Sequence, residues 1–141
     1  QGFFEVTLPS GQSAFTRDGS FKVTGDGLIV TSDGYEVAPG ITVHHSPGHS
    51  KGMQSVRVLT ESGWVVLAVD AAHFYENFEK RKPFVIAHSI EDMLTTFDQL
   101  EDLASSPEHV IPGHDPLVFE RYPALSADTQ GFVHRLDRGR G

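Results

Sequence analysis

"HHSPGHSKGMQSVRVLTESGWVVLAVDAAHF" runs from His44 to Phe74, and the fold is decided within it. "QSVRVLT" and "WVVLAVDA" are rich in β-branched residues and flank Glu61-Ser62-Gly63, which predicts a β-hairpin. The second strand is apolar from Trp64 to Val69 without alternation, the pattern of a strand buried on both faces. It ends on Asp70, a carboxylate that is costly there unless it finds a cationic or hydrogen-bonding partner. Upstream, Pro47-Gly48 reverses the chain and aims His49. His44 and His45 are adjacent on a strand, so they face opposite sides.

Outward from this segment, "SFKVTG" and "GLIVTSDGYEVAPGITVHHS" predict strands cut by turns at Ser32-Asp33-Gly34 and Ala38-Pro39-Gly40. After Asp70, "AAHFYENFEKRKPFVIAH" is irregular and aromatic, a loop crossing a surface. Ser89 caps a predicted helix with Asp92 in the capping-box position. Its apolar stripe is Ile90, Met93, Leu94, Phe97, Leu100, Leu103 and Ala104, and its acids lie largely off the stripe. Ser105-Ser106-Pro107 ends it. "HVI" is a short strand running into Pro112-Gly113-His114, "LVFERYP" a helical turn, and "GFVHRLD" a last strand.

Three strand ends therefore carry donor side chains in order: His49, Asp70 and His114. Taken singly, a Pro-Gly-His is an ordinary turn with an exposed histidine, and an aspartate after a buried strand is often a cap. Together, two histidines and a carboxylate suit zinc or another first-row metal.

Composition narrows the rest. The 141 residues carry a net charge of −8, which disfavours a sequence-independent grip on nucleic acid. The basic clusters Glu79 to Pro83 and Arg135 to Arg140 read as solvated surface. There is no cysteine, so disulfides, cysteine zinc fingers and a cysteine nucleophile are excluded. No apolar run is long enough to span a bilayer, and a cytoplasmic location is expected. "QGFFEVTLPSGQSAF" has neither an initiator Met nor signal-peptide features. It reads as chain taken up in mid-domain, which leaves a preceding signal open.

"SPGHSKGMQSVRV", "GWVVLAVDAAHFYENF" and "VIPGHDPLVFERYP" resemble the metallo-β-lactamase superfamily, and within it the N-acyl homoserine lactonase branch. The resemblance covers roughly His44 to the C-terminus and, more weakly, the strands before it. It implies an αββα sandwich with a two-zinc site, present here as its C-terminal half: β-rich with one main amphipathic helix. Residues 1–141 are then expected as a single partial domain. By motif, His49, Asp70 and His114 resemble metal ligands, and Asp115 a supporting acid. Asp70 would also pass a proton to the leaving oxygen. His73 stands where some lactonases have a substrate-contacting tyrosine, and His73 and Tyr75 are candidates to hydrogen-bond the oxyanion. The family's HxHxDH motif is absent.

The activity implied is opening of a lactone ring by a metal-bound hydroxide. The partners implied are a small lactone or ester, with a homodimer or a complementing N-terminal half. The aromatic loop Phe74 to Phe84 either walls an acyl-chain pocket or packs over the sheet edge. The alternatives are a catalytically incomplete binding or assembly module, and a hydrolase of another ester or thioester.

Overall fold

The computed structural model describes residues 3–137. The chain ends of the expectations above, Gln1-Gly2 and Arg138 to Arg140, lie outside the described residues. The chain divides into two compact units, residues 1–44 and 45–141. The early strands form a sheet of their own.

In the first unit, β1 (Phe4–Thr7), β2 (Ser13–Thr16), β3 (Lys22–Val23), β4 (Ile29–Val30) and β5 (Glu36–Val37) form a sheet in the order β2-β1-β5-β4-β3. Every pairing in it is antiparallel. Val6, Val30 and Val37 supply its buried apolar residues. The Ser32-Asp33-Gly34 turn joins β4 to β5, closed by hydrogen bonds from Gly34 N to Thr31 O and from Thr31 N to Tyr35 O. The expected strand at Ser20 to Gly25 contracts to Lys22–Val23. β6 (Ile41–His45) straddles the division between the units.

In the second unit, β7 (Gln54–Thr60) and β8 (Gly63–Val69) form the expected hairpin, with Val58 opposite Val65. β9 (Val110–Pro112) runs parallel to β8, Val66 opposite Val110. The unbroken apolar run of β8 is explained by burial on both faces. Val66 and Ala68 face a cluster with Met93, Phe97 and Leu100. Val65 faces Ile111 and Tyr122. The aromatic stretch after Asp70 is more ordered than expected, since it contains α1 (Tyr75–Glu79).

The main helix is α2 (Ile90–Leu103), and Ser89 Oγ accepts from Asp92 N at its start. Met93, Thr96, Phe97 and Leu100 are fully buried, whereas Ile90 is 44% and Leu94 36% exposed. The buried stripe is thus narrower than the apolar one. Gly48 (φ 137°) lets the incoming loop lie directly on α2: a Cβ there would sit 2.6 Å from Met93 Cα. α3 (Val118–Arg121) is the expected helical turn. The strand expected at "GFVHRLD" reduces, among the described residues, to one bridge, Ala124 to His134. No helix among the described residues is long and apolar enough to cross a membrane.

Candidate metal centre

The end of β8 is an unusual piece of backbone. A register irregularity falls between Leu67 and Val69, and Val69 has φ 52°, a left-handed conformation that a β-branched side chain disfavours. The strained residue immediately precedes Asp70. Gly113 explains how the surroundings hold it, because its α-carbon packs onto Val69 so closely that a Cβ would lie 2.4 Å from the Val69 carbonyl oxygen. Beyond the strands the two loops remain zipped together. Gly113 N donates to Ala72 O at 2.9 Å, and His114 N donates to His73 O at 3.0 Å.

This pairing sets His114 across from Asp70. The His114 Nε2 atom donates to Asp70 Oδ1 at 2.6 Å, and His73 Nε2 lies 3.9 Å from the same oxygen. Asp70, His73 and His114 present donor atoms all within 4.8 Å of one another, the one such group among the described residues. Asp70 and His114 are partly exposed, and His73 is mostly covered. The His114 hydrogen bond is the main influence holding the Asp70 carboxyl below its usual range. Burial is the main influence lowering His73, with neighbouring His114 acting in the same direction. Both shifts favour the unprotonated donor forms that metals take. Two imidazoles and one carboxylate form a borderline donor set suited to zinc, so the residues present fit a divalent transition metal.

His49 stands one ring further out. Its centroid lies 5.6 Å from that of His73, and its Nδ1 donates to Ile86 O at 2.8 Å, which orients the ring and leaves Nε2 as the lone-pair nitrogen. Of the three donors expected from sequence, Asp70 and His114 come together, while His49 lies outside the tight group and His73 inside it. Tyr75, expected to hydrogen-bond the oxyanion, is placed in the core of the second unit. Its side chain is 2% exposed, in the apolar cluster with Phe78, beneath the Arg121 guanidinium at 3.4 Å. The first turn of α1 turns it inward. Asp115 supports the loop as expected, accepting from Tyr75 N at 2.9 Å and Leu117 N at 3.0 Å.

His44, His45, His109 and His134 have local partners. His44 meets Thr42 Oγ1, and His45 meets Lys51 O. His109 is buried between Ser62 and Ser106. Phe84 is the residue that sequence reasoning did not single out. It stacks on His73 with centroids 3.9 Å apart and planes 12° from parallel. The only sequence signal for it was the aromatic density of the loop.

A buried hairpin strand ending on a carboxylate, met by imidazoles from adjacent loops and backed by a helix, is the arrangement of part of a metallo-β-lactamase-type fold, as the partial matches to lactonases show. The chain is 40% identical over 89 residues, 62% of its length, to the N-acyl homoserine lactonase AiiA of Bacillus thuringiensis subsp. kurstaki. An N-acyl homoserine lactonase of Bacillus cereus matches to the same extent. A solved N-acyl homoserine lactone hydrolase, with N-hexanoyl-L-homoserine bound at its catalytic metal centre, superimposes with a TM-score of 0.50. It is 38% identical, and the match covers 57% of this chain and 33% of that one. The chain spans 35% of the length of the curated lactonases it matches.

A second set of matches concerns the other end. Residues 1–66 match the family model described as the flagellar hook protein FlgE/F/G D1 domain. The flagellar basal-body rod protein FlgG of Caulobacter vibrioides is 51% identical over 43 residues, 30% of this chain and 16% of that protein. The FlgG of Borreliella burgdorferi is 36% identical over 72 residues, 51% of this chain and 25% of that protein. The match begins with the separate sheet and runs past the division into β8. Sequence reasoning attached these strands weakly to the hydrolase; their short, turn-separated pattern carried no chemical signal of its own.

Proposed function

We propose that the second unit supplies part of a metal-dependent lactone-hydrolase centre, with zinc held by Asp70 and His114, and His49 oriented toward the same site. The observation that carries this reading is the convergence of Asp70 and His114 at 2.6 Å across two strand ends, in a chain 40% identical to lactonases over 89 residues. When bound, zinc supplies Lewis-acid polarisation of a carbonyl and activation of water. Asp70 Oδ1 already accepts a proton-bearing nitrogen, and this oxygen is the group that takes up a proton and passes it to the departing ring oxygen. The apolar side chains Val85 (95% exposed) and Ile86 (70%) follow Phe84, which stacks on His73. They offer a surface for an acyl chain, and an N-acyl homoserine lactone is the proposed substrate. The test is metal analysis of the purified chain together with hydrolysis of an N-acyl homoserine lactone. Zinc at about one equivalent with turnover supports the reading; no zinc and no turnover rejects it for this chain.

A second reading is carried by the first unit. We propose that it is an assembly module of the flagellar axial type, which would make the hydrolase part its cargo. The family match over residues 1–66 and the identity with FlgG support it. Co-sedimentation with purified hook–basal-body particles tests it, and absence of binding rejects it.

A further inference from the structure

We propose that His73 is itself a metal ligand, so that Asp70, His73 and His114 form a three-donor site for one divalent transition metal. The inference rests on the metal-dependent reading above and changes the identity of its third donor. The resemblance gives position 73 a substrate-facing role. The geometry points instead to ligation. His73 Nε2 lies 3.9 Å from Asp70 Oδ1, within the 4.8 Å group that also contains His114. Two ligand atoms bound to one zinc at about 2.0–2.2 Å each stand roughly 3–4 Å apart, so small rotations of these side chains bring them to a common ion.

Position 73 is also held as a ligand should be. Phe84 stacks flat on one face of the imidazole at 3.9 Å, and the His114 ring meets it edge-on at 4.7 Å and 81°. The backbone of His73 is fixed by the bond its carbonyl accepts from His114 N. These contacts restrict the ring plane, which lowers the cost of placing Nε2 on a metal. An oxyanion donor would need only a directed N–H. A ring clamped against a carboxylate and a second imidazole is arranged for sharing an ion. Three protein donors also leave a position open for water or substrate, as catalytic zinc sites do.

The experiment uses the full chain and the metal alone. Zinc affinity is measured by chelator competition, and cobalt(II) substitution reports the donor set by its visible absorption. Wild type is compared with His73→Ala, His73→Gln and His114→Ala, with circular dichroism confirming that each variant is folded. Both His73 variants are expected to lose at least tenfold in zinc affinity, as His114→Ala does, and to change the cobalt spectrum. The ¹⁵N resonances of the His73 imidazole are expected to shift on adding zinc to wild type. If the His73 variants bind as wild type does while His114→Ala fails, ligation by His73 is overturned and the metal-dependent reading stands. If wild type binds no metal, both fall.

Discussion

Replacing Gly113 with alanine puts a methyl group where the backbone of β8 already lies. The new Cβ would sit 2.4 Å from Val69 O, 2.7 Å from Val69 C and 3.2 Å from Val69 Cα. All three atoms are main chain, so no side chain can rotate away. Ordinary contact begins at 3.4 Å, and the ends of β8 and β9 must separate by about 1 Å, an overpacking that costs about 1–3 kcal/mol. That separation stretches the bonds from Gly113 N to Ala72 O and from His114 N to His73 O. It also moves His114 off Asp70. Disturbing the groups that orient ligands lowers metal affinity by about 10–100-fold. Stability is read by urea denaturation followed through Trp64 fluorescence, and metal affinity by competition with a chelator. Gly52→Ala is the control: nothing lies within 4 Å of its Cβ, and a change below about 0.5 kcal/mol is expected. Gly113→Ala matching Gly52→Ala in both stability and zinc affinity would refute the reasoning.

The other predictions concern the core, the alkaline limit and the site. Phe97→Ala empties a fully buried position beneath β8 and is expected to cost about 3–5 kcal/mol; a loss under 1 kcal/mol in denaturant titration would contradict the packing described. Burial, reinforced by Tyr122, raises the Tyr75 hydroxyl above its ordinary range, so its contribution to stability is present below about pH 10 and is lost as pH rises beyond that value. Tyr75→Phe should therefore gain on wild type between pH 8 and pH 11, and an unchanged difference in denaturation midpoints would count against it. In a metal-loaded form, His114→Ala should remove far more lactone hydrolysis than His109→Ala, whose imidazole is occupied by Ser62 and Ser106. Equal losses would contradict the assignment.

Much of the second unit was legible because its signals are local. A β-hairpin follows from two β-branched runs around Glu61-Ser62-Gly63, and a helix start from Ser89 placed three residues before Asp92. The both-faces burial of β8 followed from an apolar run without alternation. The exposure of Ile90 and Leu94 was not legible, since a helical stripe records which side chains could be buried, not how wide the neighbouring sheet is. The burial of Tyr75 was not legible for a similar reason. Counting residues from Asp70 brings it near the site, but the first turn of α1 points it into the core under Arg121.

By itself the sequence determined the donor types, their order along the chain and the strand ends that carry them, because turn chemistry and side-chain periodicity act within a few residues. Only the tertiary structure decided which donors meet. His73 and His114 are separated by 40 intervening residues and are joined by the pairing that continues past β8 and β9; that long-range zip, with Phe84 against the ring, sets the distances to Asp70. The division into two units was likewise a tertiary outcome, since short strands look alike in sequence whichever sheet they join, and only their pairing assigns them.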